Sequence, residues 1–345
     1  MRNSSWNDLL NMIEGRKLNY QPTGFIIDSP WIPGWYGIST IDYYTSDELW
    51  LKSNLKAVHT FPETWFLPGF WSEYGMCTEP SAFGARMVYF ERGFPHADKI
   101  LRDIADAELL PQPNVKTDGM LPFMINRLKN SQKAIHEADH QIRFAIARGP
   151  LNIASFLMGT TEFMLALSMD PEGSHKLLKK ITDFICDWLS WQKECFPSID
   201  GVLILDDIIG FVGEAEFAEF VLPCFRKIFS VTGARARFLH NDADGLITAK
   251  NMQAMGVNMF NFSFNHSMGE IRELAGPNVI LVGNIPARDV LGSGTPADVE
   301  NAVKKAFGEI SVHERIIWSA GGGMPPDVKD ENIHMFIGSV KKFSK

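Results

Sequence analysis

The chain has 345 residues, 45% of them hydrophobic and 21% charged, with a formal net charge of −8. These proportions are those of a soluble globular protein, and the acidic balance argues against a general nucleic-acid binder, which needs a concentrated basic face to neutralise phosphates. The opening Met-Arg-Asn-Ser-Ser-Trp lacks the apolar core of a signal peptide, and no stretch reaches the roughly 20 apolar residues of a membrane span. Cys77, Cys186, Cys195 and Cys224 show no CxxC spacing and read as free thiols in a reducing compartment, so a cytoplasmic protein with no membrane contact is expected.

In chain order, residues 5–16 have helical spacing with Trp6, Leu9, Leu10 and Ile13 on one face. Residues 23–28 form a short strand ending at Asp28, followed by the loop Ser-Pro-Trp-Ile-Pro-Gly-Trp. A helix over 46–60 starts at an N-cap Ser46. Twelve Trp, Tyr and Phe residues from Trp31 to Tyr74 are interleaved with prolines. They read as a loop-rich cap, some of whose rings, Trp31 and Trp35 among them, could line an apolar pocket. A strand is expected at 86–90, a helix at 96–107 and a Pro-rich connector at 109–119.

From Gly119 the pattern is regular. Helices are expected at 120–138, 155–167, 171–195, 214–232, 245–255, 268–274, 295–307 and 330–343. Strands are expected at 141–147, 201–205, 236–239, 257–262, 279–282 and 315–319. This alternation of strand and helix is the mark of repeated βα units. Six strands here and one or two earlier give an α/β fold, a closed (βα)8 TIM barrel with an aromatic-rich N-terminal cap, as one domain over 1–345. A doubly wound open sheet is the alternative, disfavoured because no Gly-rich dinucleotide fingerprint follows an early strand.

Two strand ends carry the chemistry. Leu-Ile-Leu-Asp-Asp at 203–207 and Arg-Phe-Leu-His-Asn-Asp-Ala-Asp-Gly at 237–245 are apolar runs that stop at carboxylates or imidazole. A buried parallel strand should be apolar throughout, and polar residues at its C-terminal end are where α/β proteins bind ligands. Asp206, Asp207, His240 and Asp242 are the candidate catalytic residues.

Several segments resemble the uroporphyrinogen decarboxylase superfamily. They are Arg148-Gly-Pro-Leu-Asn-Ile-Ala, Asp200-Gly-Val-Leu-Ile-Leu-Asp-Asp, Phe220-Val-Leu-Pro-Cys-Phe-Arg-Lys-Ile, Val282-Gly-Asn-Ile-Pro-Ala, Gly294-Thr-Pro-Ala-Asp-Val and Ser319-Ala-Gly-Gly-Gly-Met-Pro-Pro-Asp. Their order fits over about 140–340, and Leu9-Leu-Asn-Met-Ile-Glu-Gly-Arg-Lys is similar to the family's opening helix. The resemblance implies a (βα)8 barrel with one of two activities: decarboxylation of a tetrapyrrole, or methyl transfer involving a corrinoid on a small partner protein. The decarboxylases hold substrate carboxylates with an N-terminal arginine motif. Here the matching Pro22-Thr-Gly-Phe-Ile-Ile-Asp-Ser-Pro-Trp has no arginine, which speaks against that activity.

Thiol-methylating members use zinc held by His-x-Cys and a later Cys. This chain keeps His240 but has Asp242 and Ala320 at the cysteine positions, which argues against thiol activation. The resemblance then implies the reverse half-reaction: O-demethylation of a methoxylated aromatic, with the methyl passing to cob(I)alamin on a corrinoid partner protein. His240 with Asp206 or Asp207 and Asp242 would act either as a hydrogen-bonded acid or as a zinc site in which His240 and Asp242 are ligands. Glu79, Asn265 and His266, with Trp31 and Trp35, are candidate substrate contacts. Asn284, Gly321 and Gly322 are candidate corrinoid contacts, the glycines alternatively cradling a phosphate. The other readings are a decarboxylase or lyase of the same superfamily and a non-catalytic tetrapyrrole-binding barrel.

Overall fold

The computed structural model describes residues 1–27 and 29–345. Its strands in chain order are β1 (Gly24–Ile26), β2 (Trp65–Leu67), β3 (Met87–Val88), β4 (His96–Ala97), β5 (Phe144–Arg148), β6 (Gly201–Leu205), β7 (Ala236–Asn241), β8 (Met259–Phe262), β9 (Ile280–Pro286) and β10 (Ile316–Gly321). The strand end expected at Asp28 lies outside the described residues.

Strands β5 to β10 form one parallel sheet in sequence order. Bridges from Thr23 to Trp318 and from Ile26 to Gly323 lay β1 beside β10, and β2 pairs in parallel with β1. Eight parallel strands thus run in the order β2-β1-β10-β9-β8-β7-β6-β5, the (βα)8 TIM-barrel arrangement expected from the sequence. Side chains bridge the seam between β2 and β5. The Arg148 guanidinium reaches both oxygens of Glu73 at 3.0 and 2.8 Å, and the Arg148 backbone N–H donates to Glu79 Oε1 at 3.1 Å. Glu79 thereby satisfies an amide that no strand ladder reaches.

Each strand of the six is buried along nearly its whole length, as a sheet covered on both faces requires. Trp6 meets Phe144 edge-on at 5.5 Å, so the first helix (Asn3–Ile13) plugs the end of the barrel where the strands begin. Opposite Phe144, a Cβ on Gly201 would sit 2.6 Å from its ring.

Three expected helices change, the one over 245–255 being two, Leu246–Lys250 and Met252–Met255. The single helix over 155–167 is two, Pro150–Met158 and Thr160–Met169, broken at Gly159. That glycine has φ +108°, and a Cβ there would strike Glu162 and Lys99. The helix expected over 96–107 is instead β4, which pairs antiparallel with β3, and a short 3-10 turn, Ile104–Glu108. Asp103 starts that turn by accepting from the Ala105 N–H at 2.9 Å, so the chain restarts where a helix would have continued. Among the described residues no single helix is long and apolar enough to cross a membrane. The two helices broken at Gly159 would pass together by length and composition, but they turn by 109°.

Candidate active site

The strand register places the polar centre. Arg148, Leu205, His240, Asn261 and Val282 are successive neighbours across β5 to β9. His240 and Asn261 are therefore side by side near the C-terminal ends of β7 and β8, both buried. The Asn261 amide nitrogen donates to the carbonyls of Val282 at 2.7 Å and Ala320 at 3.0 Å. Its oxygen is thus turned to His240 Nδ1, 2.7 Å away. An amide oxygen only accepts, so Nδ1 carries the proton and the neutral ring presents a bare lone pair at Nε2.

That lone pair faces two carboxylates. Nε2 is 3.8 Å from Asp207 Oδ1 and 3.9 Å from Asp242 Oδ2, and the Asp242 backbone N–H donates to Asp207 Oδ1 at 3.1 Å. Asp242's carboxyl is held above its usual range, first by burial and then by the charge and hydrogen bond of Asp207, against the pull of His240. The ligand atoms of Asp207, His240 and Asp242 lie within 4.8 Å of one another. Donor atoms bound at about 2.1 Å around one tetrahedral zinc ion lie about 3.4 Å apart, so the trio would draw in by about half an ångström at each His240 contact to hold a single ion. With a fixed Nε2 lone pair and two oxygens, the donor set fits a divalent cation and leaves a coordination position open.

Asp206 takes a different direction from Asp207. Its carboxylate is fully buried, and Oδ2 accepts from the Leu151 N–H at 2.9 Å, at the start of the helix Pro150–Met158. Among the described residues it meets His240 through the backbone alone, Asp206 N–H to His240 C=O at 3.0 Å. The trio is therefore Asp207, His240 and Asp242; of the two aspartates the sequence left open, Asp207 faces the imidazole and Asp206, a candidate catalytic residue, turns to the helix. Burial pushes the Asp206 carboxyl from 3.8 up to about 8. Between those values the folded chain holds a proton that the unfolded chain releases, so this group lowers stability as pH rises from about 4 to about 8. Asp206→Asn keeps an acceptor for Leu151 and removes the titration. Its denaturation midpoint should decline less over that pH range than the wild-type one, and parallel pH profiles would count against the assignment.

The remaining candidates spread around the mouth. Glu79 is buried at the β2–β5 seam, where burial raises its carboxyl to about 7 and Arg148 opposes the shift. His266 is half-buried and ties the loops together: its Nε2 accepts from the Gly245 N–H at 3.4 Å and lies 3.4 Å from Asp244. Its carbonyl accepts from the Asn284 amide at 2.5 Å, which spends the Asn284 side chain on structure. Asn265 is exposed on the same loop.

Gly321 and Gly322 have reasons internal to the chain: a Cβ on Gly321 would lie 2.7 Å from the Phe264 backbone nitrogen, and one on Gly322, at φ +125°, would lie 2.9 Å from Asp242 Oδ2. Gly322→Ala should therefore cost about 1–3 kcal/mol through its left-handed backbone and displace the Asp242 carboxylate. Unfolding in urea together with a rate measurement checks both, and a variant equal to wild type in each would refute it.

The aromatic cap does not form a pocket wall at Trp31 or Trp35, which corrects that expectation. Trp31 is fully buried, donates its indole N–H to the Val328 carbonyl at 3.0 Å, and stacks on Trp35 at 4.8 Å beside Phe61 and Phe66. Trp35 donates to Asp330 Oδ1 at 2.5 Å and carries Lys56 over its ring. These rings fasten the N-terminal segment to the chain beyond β10. Asn261 and Glu73 are the site residues that sequence reasoning missed. The signal for Asn261 was a lone amide in the apolar strand Met-Phe-Asn-Phe; for Glu73 there was none.

These features define an eight-stranded parallel barrel with an imidazole fixed between two carboxylates at the C-terminal ends of its strands. A family model described as Uroporphyrinogen decarboxylase (URO-D) matches residues 36–343. The chain belongs to the uroporphyrinogen decarboxylase family, as its motifs implied. It is 23% identical over 281 residues to a uroporphyrinogen decarboxylase of Ruthia magnifica subsp. Calyptogena magnifica, covering 78% of each chain. It is 26% identical over 287 residues to one of Hahella chejuensis, covering 77% of this chain and 76% of that one. Its fold is similar to that of a methyltransferase from Methanosarcina mazei, with a TM-score of 0.82 at 18% identity and 98% coverage of both chains. A B12-independent methionine synthase from Shewanella sp. W3-18-1 is a more distant likeness, with a TM-score of 0.54 at 11% identity over 94% of this chain and 97% of that one.

Proposed function

We propose that this chain is a methyltransferase that takes the methyl group of a methoxylated aromatic and passes it to cob(I)alamin carried by a corrinoid partner protein. The observation that carries the reading is the oxygen-and-nitrogen trio, with a single Nε2 lone pair held between two carboxylates and no thiolate beside it. In the overall step the methyl carbon–oxygen bond breaks and its electron pair stays on the oxygen, which takes a proton to give the phenol. The cobalt(I) electron pair forms the new cobalt–carbon bond. Phenolate is a poor leaving group, so the oxygen must be protonated or polarised as the bond breaks.

His240 and Asp242 hold that position. Asn261 fixes the ring so that Nε2 points at the reacting oxygen, and the Asp242 carboxyl, held above its usual range by burial, is the proton source beside it. A divalent ion held by Asp207, His240 and Asp242 would supply Lewis-acid polarisation of the same oxygen. Exposed Phe211 and Phe264, on loops after β6 and β8, offer apolar surface at the rim where an aromatic donor and the acceptor would meet.

The curated relatives' name favours a second reading, decarboxylation of a tetrapyrrole. A polyacid substrate needs cations, whereas the mouth carries Asp207, Asp242, Glu73 and Glu79, and the Arg148 guanidinium is already bound to Glu73. The test is to mix the chain with a reduced corrinoid protein and a panel of methoxybenzenes. Methylcobalamin absorbance and a released phenol are expected. No spectral change across methyl ethers, amines and thioethers, or carbon dioxide release from a porphyrinogen, would overturn the proposal. Elemental analysis of protein purified without added metal decides between zinc and a metal-free acid.

A further inference from the structure

At the opposite end of the barrel, where β1, β9 and β10 begin, lies a cavity of about 690 Å³ that the proposed chemistry does not use. Its wall is unusually cationic for a chain of net charge −8: Arg16, Lys17, Arg272 and Arg315 line it, against one carboxylate, Glu314. Arg16 and Lys17 pair with Glu14 and Glu314, but these are exposed pairs at the surface and neutralise little.

Arg272 and Arg315 are half-buried, and among the described residues neither has a carboxylate partner. Arg272 donates to the carbonyls of Gly276, Val279, Glu314 and Arg315. Arg315 uses Nε on the Met12 carbonyl, at the end of the first helix, and Nη1 on Pro277 and Asn278. Carbonyl dipoles orient the two forks but leave both positive charges uncompensated. Burial and the neighbouring Arg315 charge lower the Arg272 guanidinium to about 10, the direction expected where like charges meet with no anion between them. Arg315 Nη2 has no acceptor among the described residues and lies over Gly15, at φ +84°, where a Cβ would come within 2.7 Å of it. A glycine therefore leaves room for a guanidinium edge that borders the cavity.

We propose that this cavity binds a phosphorylated small molecule of nucleotide size. Guanidinium donors are suited to phosphate oxygens: Arg315 Nη2 is the open edge, already held in place by the carbonyls on Nε and Nη1, while Arg272, whose Nη1 and Nη2 are taken by carbonyls, adds its uncompensated charge. The volume is in the range of small-molecule sites and far exceeds one phosphate. Met12, Leu18 and the Tyr20 ring supply apolar wall for the rest of the ligand.

Calorimetric titration of the full chain with ATP and with inorganic pyrophosphate tests this. Both should saturate at one per chain, ATP more tightly, with Kd below about 1 mM. Arg315→Gln should abolish binding. Because that change also frees backbone carbonyls, Lys17→Glu provides the second arm. Its side chain is exposed, so melting should stay at the wild-type temperature while affinity falls about tenfold. Absence of saturation by either probe, pyrophosphate binding as tightly as ATP, or wild-type affinity in Lys17→Glu would overturn the proposal.

Discussion

His240→Ala should lower the rate of methyl transfer from a methoxyarene by about 10²–10⁴-fold, the usual loss when a positioned acid–base group is removed. The ring's Nε2 is the atom on which Asp207 and Asp242 converge, at 3.8 and 3.9 Å, and alanine leaves two carboxylates with nothing to orient between them. Affinity for the aromatic donor should change far less, because apolar contact supplies most binding energy in such pockets. The two effects separate in a single-turnover assay that follows the cobalt spectrum beside an equilibrium titration of the donor. If the wild-type chain contains zinc, the same substitution should release it, and elemental analysis reads this without any activity. A variant that demethylates at the wild-type rate would remove His240 from the mechanism.

Asn261→Leu should be damaging in two distinct ways. The side chain is buried, and its amide nitrogen serves the carbonyls of Val282 and Ala320. Leaving a buried acceptor without its donor costs about 1–3 kcal/mol each, so unfolding in urea should show a loss of roughly 2–6 kcal/mol. Separately, the His240 Nδ1 proton loses its acceptor, so the ring is free to turn and to exchange tautomers. Changing a partner of this kind typically costs about 10–100-fold in metal affinity or activity. Asn261→Gln, which keeps an amide on a longer stem, should recover part of the stability but little of the rate, because the oxygen no longer meets Nδ1. A leucine variant with wild-type stability and wild-type turnover would show that Asn261 does not position the imidazole.

Much of the barrel could be read from the chain. Strand 201–205 is a continuous apolar run and 236–239 is apolar but for Arg237, as parallel strands buried on both faces require. Their polar ends at Asp207, His240 and Asp242 mark where the strands leave the sheet. The family motifs at 148–154, 282–287 and 319–327 are local in sequence and were legible for that reason. By contrast, β2 at Trp65–Leu67 is three residues long among prolines and aromatics, too short for any periodicity. The break at Gly159 needed the neighbouring Lys99 and Glu162 side chains to explain it.

What the sequence determined by itself was the alternation of strand and helix, the fold class and the set of polar strand ends, because these depend on period and on which residues tolerate burial. Only the tertiary structure decided which way each polar side chain turns. Adjacent Asp206 and Asp207 part at the end of β6, so one carboxylate meets the helix at Leu151 and the other meets His240. Likewise Asn261 becomes the partner of His240 only through the register of β7 against β8. Trp31 and Trp35, equally suited by composition to a pocket or a core, were assigned to packing by contacts with Val328 and Asp330, nearly 300 residues away. Composition and spacing fix what a side chain can do; its neighbours, brought from distant parts of the chain, fix what it does.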